Sequence, residues 1–242
     1  MASIELLATS ISAGYSGTRI VDDLSIQVHS GERVGIIGRN GAGKTTTLAC
    51  LMGLAELQGG NIQLGGQTIS DWPTYRRARA GLGYVPQTRD IFRSLTVEEN
   101  LACAAGGKAD LARFELVYEL FPRLKERRRN GGTDLSGGEQ QMLAVGRAMI
   151  PGPKVLLMDE PLEGLAPKVR EELLESIEQL AVKTGVSCVF VEQHVDVVLS
   201  FCSQVLVLER GRPVFSGSSA DLRARPEVLE SSVGLKKKLR FG

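Results

Sequence analysis

The chain has 242 residues, of which 43% are hydrophobic and 24% charged, and its formal net charge is +1. This is ordinary globular usage, which excludes a disordered chain and gives no overall preference for nucleic acid. The four cysteines form no C-x-x-C pair and the two histidines lie far apart, so no metal-site spacing occurs. No apolar stretch approaches the ~20 residues that span a bilayer, so work at a membrane would need a partner.

Short apolar runs alternate with helical patterns along the chain. Helices are predicted at 44–52, 111–120 and 167–183, and strands at 4–7, 24–28, 33–37, 82–85, 155–158, 186–192, 205–208 and 213–215. Thr96 with Glu99 forms a capping-box start for a further helix, and glycines on both sides of 62–64 predict a hairpin. The alternation of strand and helix predicts a parallel sheet with right-handed crossovers.

A glycine-rich loop follows the predicted strand 33–37 and precedes the predicted helix 44–52. It matches the pattern GxxxxGK[ST], and its residues are Gly38, Arg39, Asn40, Gly41, Ala42, Gly43, Lys44 and Thr45. The glycines let backbone N–H groups cradle phosphates, and the helix start adds a positive dipole end. Lys44 can reach the outer phosphates, and the Thr45 hydroxyl can ligate Mg²⁺. Together with Thr46, these residues form the predicted nucleotide-binding loop.

Two acidic residues, Asp159 and Glu160, follow the predicted strand 155–158. Carboxylates at this end of a strand lie where open α/β sheets bind ligands. We expect Asp159 to hold Mg²⁺, and Glu160 to polarise the attacking water. Two acids after a strand more often begin a helix when they stand alone, but the glycine-rich loop in the same chain favours the catalytic interpretation.

A second candidate anion site lies at 135–141, where the sequence is LSGGEQQ. Ser136 opens a predicted helix, Gly137 and Gly138 lie at its N-terminus, and Glu139 follows them. One nucleotide needs only one such cradle, so we expect the second to serve a nucleotide bound to another subunit. A lone SGG would indicate no more than a capped helix.

Over nearly its whole length the chain resembles ATP-binding cassette (ABC) ATPases. The glycine loop, a glutamine loop, the signature LSGGEQQ, the acidic strand and a histidine occur in the order that this family has. The resemblance implies that Gln87 contacts Mg²⁺ and the transport partner. It also implies that Tyr15 stacks on adenine, and that His194 contacts the γ-phosphate. The implied catalytic residues are Glu160, His194, Lys44 and Gln87, and the implied metal ligands are Thr45, Gln87 and Asp159.

The resemblance implies a single ABC cassette over 1–242 with a RecA-like P-loop core. That α/β core, at 1–87 and 149–235, carries an antiparallel β portion near the N-terminus. A helical subdomain at 88–148 is inserted into the core, and a basic tail occupies 236–242.

Within the family the chain resembles the ATPases of branched-chain amino acid importers, and the urea and amide importers are similar. The segments that carry this resemblance are LTVEENL at 95–101, LFPRL at 120–124 and GLAP at 164–167. Two positions depart from the commoner family pattern. Leu162 stands where Ser or Thr is commoner, and Ala166 stands where many cassettes have Asp. The second departure leaves any cross-subunit role of that carboxylate in doubt.

The implied partners are a sister ABC ATPase, transmembrane permease subunits and, indirectly, a solute-binding protein; no nucleic-acid partner is implied. The ATPase pair is expected to be a heterodimer, with a homodimer as the alternative, and the implied location is peripheral, on the cytoplasmic face of the inner membrane. The cofactor implied is Mg²⁺, bound with the substrate ATP.

Three other functions are compatible with parts of the pattern. A lipopolysaccharide-type exporter ATPase has similar motifs but usually keeps an Asp at the position of Ala166. Soluble cassettes of DNA repair carry a long coiled coil between the glutamine loop and the signature, for which there is no room here, and ribosomal forms usually fuse two cassettes. A non-enzymatic nucleotide-binding module is disfavoured by the presence of Glu160 and His194.

Overall fold

A computed structural model describes residues 3–106 and 110–233, and the predicted basic tail at 236–242 lies outside this part of the chain. The strands are β1 (Ile4–Tyr15), β2 (Thr18–His29), β3 (Arg33–Gly38), β4 (Glu56–Leu64), β5 (Gln67–Thr68), β6 (Leu82–Val85), β7 (Val155–Asp159), β8 (Ser187–Val191), β9 (Gln204–Glu209) and β10 (Arg212–Ser218). The helices are α1 (Lys44–Met52), α2 (Thr74–Ala80), α3 (Val97–Ala104), α4 (Leu111–Leu120), α5 (Pro122–Glu126), α6 (Gly137–Met149), α7 (Pro167–Thr184), α8 (Val195–Phe201), α9 (Ser219–Arg223) and α10 (Pro226–Val233).

The first sheet is antiparallel and has the strand order β2-β1-β4-β5, which confirms the antiparallel β portion near the N-terminus. Its first two strands are longer than the predicted runs 4–7 and 24–28. A bulge interrupts the alternation of β1, because the backbone of Ser10 is left-handed and the register with β4 shifts between Thr9 and Ser12. Gly60 faces this bulge, and a Cβ on it would lie 2.4 Å from the carbonyl oxygen of Ser10. Strand β1 therefore continues through the bulge, although the alternation of apolar and polar residues is interrupted there.

The second sheet has the strand order β10-β9-β3-β8-β7-β6. Neighbouring strands from β9 to β6 are parallel, and β10 pairs antiparallel with β9 at the edge. The carboxyl ends of β3, β6, β7 and β8 therefore meet at one edge of the sheet, where open α/β sheets bind ligands. This edge carries the glycine-rich loop, Gln87, the acidic pair and His194.

Helix α1 lies in the core between the two sheets. Its residues Leu48 and Leu51 are fully buried and belong to one apolar cluster with β1, β3 and β7. The C-terminal end of α1 is held by Arg77, which is 3% exposed. The guanidinium of Arg77 donates to the carbonyl oxygens of Cys50, Leu51, Ser70 and Trp72 at 2.7–2.9 Å. Because α1 is buried and its C-terminal end is held by Arg77, the position of the glycine-rich loop at its N-terminal end is fixed as well.

Helices α3 to α6 lie between β6 and β7 in the chain. Both predicted capping boxes are present, with Thr96 capping α3 through Glu99 and Ser136 capping α6 through Glu139. Helix α6 packs closely against its neighbours, because a Cβ on Gly146 would lie 2.9 Å from Val117 of α4. The C-terminal half of α6 is thereby held against α4.

Candidate functional site

The glycine-rich loop connects β3 to α1 at the carboxyl edge of the parallel sheet. Gly41 and Gly43 have left-handed backbones with φ of 78° and 99°, which glycine adopts without a steric cost. Gly43 caps α1 without a side-chain hydrogen bond, so the first N–H groups of this helix stay available to an anion. The loop is therefore built as an anion cradle.

Lys44 is 4% exposed and folds back over the loop. Its ammonium donates to the carbonyl oxygens of Gly38 at 3.0 Å and Arg39 at 3.4 Å, and its Nζ lies 3.5 Å from Oε1 of Glu160. The positive charge of Lys44 is thus held at the mouth of the cradle and beside the acidic strand.

A cleft of about 540 Å³ opens beside this loop. It is lined by Ile20, Asn40, Gly41, Gly43, Lys44, Thr45, Thr46, Gln87, Glu160, Glu163 and Gln193. Residues from the glycine-rich loop, the glutamine loop and the acidic strand, far apart in the chain, therefore line one cavity.

Asp159 ends β7 and is 1% exposed. Burial raises the pKa of its carboxyl group from 3.8 to about 6, and the nearby charges of Glu160 and Glu163 add to the rise. The hydrogen bond from the Thr45 hydroxyl at 3.2 Å and the charge of Lys44 act against it. Oδ2 of Asp159 has no hydrogen-bond partner among the described residues. A buried carboxylate with a free oxygen is suited to binding a cation.

Glu160 follows directly, with a left-handed backbone at φ 47°. Its Oε2 accepts a 2.6 Å hydrogen bond from the side-chain amide of Gln193, which comes from the end of β8. Gln87 donates from its own amide to Oε2 of Glu163 at 2.6 Å. The acid and the glutamine of the cleft are therefore each held by a residue that was not predicted as a site residue.

Glu192 is a third residue, beside Gln193 and Glu163, that connects the segments around the cleft and is not part of a motif. Glu192 is 1% exposed and accepts from the backbone N–H groups of Leu162 and Gln193 at 2.9 and 3.2 Å, so it joins the end of β8 to the loop after Glu160. Burial raises the pKa of Glu192. Gln193 and Glu163 could have been found from their positions, since each lies within three residues of the end of a strand or of the acidic pair.

Several predicted site residues do not line the cleft, and the buried Asp159 is one of them. Tyr15 is 42% exposed at the end of β1, next to the turn that leads to Ile20. His194 is exposed at the start of α8, with Nε2 3.2 Å from a guanidinium nitrogen of Arg170. Arg39 is exposed, whereas Gly38 and Ala42 are buried beneath the loop.

The signature residues Ser136, Gly137, Gly138 and Glu139 form the first turn of α6 and its cap. The Ser136 hydroxyl accepts from the backbone N–H of Glu139 at 3.3 Å, and the carboxylate of Glu139 accepts from the N–H of Ser136 at 2.8 Å. Ser136 and Gly137 are exposed, and none of these four residues lines the cleft. The second cradle is therefore not part of the nucleotide cleft of its own chain.

Two features are absent from the part of the chain that the structure describes. No helix in residues 3–106 and 110–233 is long and apolar enough to cross a membrane. Within the same residues, no group of three or more His, Cys, Asp or Glu side chains could hold a metal ion.

A glycine cradle, a buried lysine and a carboxylate pair at the edge of a parallel sheet define a P-loop ATPase. The comparisons with known proteins agree. Residues 21–163 match the ABC transporter family, and the chain belongs to this family as one of its ATP-binding, ATP-hydrolysing subunits.

Its relatives include the high-affinity branched-chain amino acid transport ATP-binding protein BraG of Pseudomonas aeruginosa. The identity is 42% over 229 residues, which are 93% of this chain and 97% of that protein. The lipopolysaccharide export system ATP-binding protein LptB of Escherichia coli K12 is 34% identical over 90% of this chain and 92% of its own length. A solved ATP-binding subunit of an ABC transporter superposes with a TM-score of 0.80 at 28% identity, over 95% of this chain and 96% of that one. The predicted fold class is confirmed.

Proposed function

We propose that this ATPase energises the import of branched-chain amino acids or of related amino acids and amides. The observation that carries the proposal is the 42% identity with BraG along nearly the whole chain. A probable branched-chain amino acid transport ATP-binding protein, LivF of Archaeoglobus fulgidus, supports it at 35% identity. LptB, at 34%, makes lipopolysaccharide export the second candidate.

The two candidates are separated by complementation. We expect this chain to restore ATP-dependent leucine uptake to cells that lack BraG, and the Lys44→Ala variant to fail. Restored growth of cells depleted of LptB, without any restored leucine uptake, would overturn the proposal in favour of export.

Catalysis in this proposal is mostly electrostatic. Lys44 and the N–H groups of the glycine-rich loop bind the outer phosphates and stabilise the charge that develops on them. Glu160 positions the attacking water, and the short hydrogen bond from Gln193 fixes the orientation of its carboxylate. His194 contacts the γ-phosphate, and Tyr15 stacks on the adenine. Neither side chain lines the cleft in the structure, so both must move when the nucleotide binds.

The chemistry of the cleft fits Mg²⁺. Asp159 has a buried oxygen without a partner in the described chain, and it faces the hydroxyl of Thr45. Asp159, Thr45 and Gln87 would hold the ion, which supplies positive charge to the phosphate oxygens when it is bound. Of these three side chains only that of Asp159 is a carboxylate, and the other two donors are a hydroxyl and an amide.

The position of the signature outside the cleft of its own chain supports a paired arrangement. Each chain carries two cradles, and the one at Ser136–Glu139 does not line the cleft of its own chain. We therefore place this signature against the nucleotide held by Lys44 of a partner. The physiological partner in the proposal is a sister ABC ATPase, and a homodimer forms when this chain is alone, because a two-fold pair is self-complementary.

A mixture of two inactive variants tests this arrangement. Lys44→Ala disables the glycine loop, and Ser136→Arg disables the signature. In a head-to-tail pair of the two variants, one composite site carries both defects and the other carries neither. We expect activity to return in the mixture, and crosslinking checks that mixed pairs form. A mixture that stays inactive although mixed pairs are present contradicts the model.

The remaining parts of the proposal concern location and subunits. The pair binds transmembrane permease subunits at the cytoplasmic face of the inner membrane, and a solute-binding protein delivers the substrate to those subunits. Within the chain, 88–148 acts as a helical subdomain inserted into the RecA-like core at 1–87 and 149–235. Co-purification of the permease subunits with this chain from membranes, and its release by high salt or alkali, is the expected result.

A further inference from the structure

Arg89 lies two residues after Gln87, in the loop that connects β6 to α3. It has a left-handed backbone with φ of 67°, and the next residue, Asp90, has φ of 48°. Two consecutive residues other than glycine in this conformation are uncommon and are kept only where the surroundings determine them. The backbone N–H of Arg89 donates to the carbonyl oxygen of Pro86 at 3.0 Å. The chain therefore makes a tight turn at Arg89.

The Arg89 side chain lies against the signature helix. Its Nε donates to Oε1 of Gln141 at 3.1 Å. A Cβ on Gly137 would lie 3.3 Å from Nη1, and a Cβ on Gly164 would lie 3.9 Å from Nη2. The guanidinium therefore occupies the junction of the first turn of α6 with the loop that follows Glu160.

Gln141 depends on this contact. Its side chain is 2% exposed, and its Nε2 has no hydrogen-bond partner in the part of the chain that the structure describes. The bond from Arg89 is the hydrogen bond that this amide does make within the same residues. A buried amide that is only half satisfied is costly, so loss of Arg89 would leave it wholly unpaired.

The positive charge of Arg89 lies at the N-terminal end of α6 and has no carboxylate beside it in the described chain. Among the described residues, no carboxylate lies within ion-pair distance of its guanidinium. The N-terminus of α6, beside Gly137, carries a partial positive charge of its own. A cation at this end of a helix is unfavourable by itself, but both charges attract the same anion.

We propose that Arg89 is a positioning residue of the signature half of the composite site. It holds the first turn of α6 in place and so serves the nucleotide bound by the partner subunit. Gln87, two residues earlier, lines the cleft of its own subunit, so proximity in sequence would suggest the opposite assignment. The inference rests on the paired arrangement proposed above.

Mixed pairs distinguish the two assignments. We expect Arg89→Ala alone to lower ATP turnover about ten-fold, since a charge-assisted hydrogen bond is lost. Alanine keeps the steric preference of a residue with a Cβ, so the loop conformation is not relaxed. In a pair with Lys44→Ala, the site that lacks the lysine also receives the weakened signature, and the other site is intact. An equal mixture should then recover about a quarter of the wild-type rate, since half of the pairs contain one intact site.

If Arg89 instead serves its own nucleotide, the remaining site of the mixed pair carries the defect. The mixture then stays at about a twentieth of the wild-type rate, as random pairing of the two variants gives. A merely structural loss in Arg89→Ala gives the same low value, because it affects both of the sites to which that subunit contributes. Either result overturns the inference.

Three controls complete the experiment. Arg93→Ala removes an exposed arginine from the same loop, and its turnover should stay near that of the wild type. Gln141→Leu should reproduce the defect of Arg89→Ala, and the double variant should be no slower than either one, because the two residues act through one contact. The pair of Lys44→Ala with Ser136→Arg reports on the paired arrangement itself. Recovery in that pair alone overturns the role of Arg89, whereas its failure overturns the arrangement and the inference with it.

Discussion

Asp159 should destabilise the ligand-free protein at neutral pH, so Asp159→Asn should stabilise it. The carboxyl group is 1% exposed, and its pKa is raised from 3.8 to about 6. A rise of this size corresponds to about 3 kcal/mol. The folded state binds more protons than the unfolded state between these two values. Stability is therefore lost as the pH rises through this range, and it stays lower above it.

Urea unfolding without Mg²⁺ or nucleotide measures the effect. At pH 8 we expect Asp159→Asn to be about 1–3 kcal/mol more stable than the wild type, because the neutral amide is not penalised by burial. Near about pH 4 the difference should shrink to below about 1 kcal/mol, since the native carboxyl is then protonated. Asp23→Asn makes the same change of charge at an exposed position and serves as the control.

The same variant reports on metal binding. Mg·ATP should stabilise the wild type against unfolding, since a ligand that binds only the folded state adds to its stability. Asp159→Asn should lose the part of this stabilisation that depends on Mg²⁺. If the variant is no more stable than the wild type at pH 8, burial does not destabilise the charged carboxylate of Asp159. The inference from its unpaired Oδ2 is then wrong.

Three further predictions concern hydrolysis, nucleotide affinity and stability. Glu160→Gln should keep ATP binding and lower phosphate release about 10²-fold or more, because the positioning of water is lost; near-normal turnover would remove Glu160 from the mechanism. Tyr15→Ala should weaken ATP binding by about 1–2 kcal/mol in calorimetry, the size of base–aromatic stacking, and Tyr15→Phe should bind normally; equal losses in both would assign the effect to the hydroxyl. Arg77→Ala should lower the free energy of unfolding by about 2–4 kcal/mol, because buried carbonyl oxygens at the end of α1 lose their donor; a loss below about 1 kcal/mol would show that water replaces the guanidinium.

The parts of the site that consist of consecutive residues in one motif were predictable from the sequence. The loop that ends in Lys44 and the strand that ends in Asp159 carry their signal in consecutive residues. That both motifs lie at one edge of the sheet then follows from the alternation of elements, since parallel strands bring their carboxyl ends to one edge. The spatial order of the strands was not predicted. The helix predicted at 44–52 and the helix predicted at 111–120 have the same bounds in the structure.

Contacts between loops could not be predicted in this way. Gln87 and Glu163 are separated by 76 positions, and Arg89 and Gln141 by 52, yet each pair shares a hydrogen bond. Such bonds depend on how far each loop extends beyond its strand, which no local pattern encodes. The bulge at Ser10 shows the same limit, because it hides the second half of β1 from any test of alternation.

The position of Lys44 links nucleotide binding to the catalytic acid. Its Nζ lies 3.5 Å from Oε1 of Glu160, and both side chains are buried, at 4% and 7% exposure. A buried ion pair has lost the hydration of both charges, so a stronger counter-charge can draw either partner away. A triphosphate carries more negative charge than one carboxylate. We therefore expect the ammonium of Lys44 to leave Glu160 and to bind the phosphates when ATP binds. The carboxylate would then keep its bond to Gln193 and have Oε1 free to accept a hydrogen bond from water. Glu160 thus stays paired with Lys44 until ATP has bound, and only then can its Oε1 bind the attacking water.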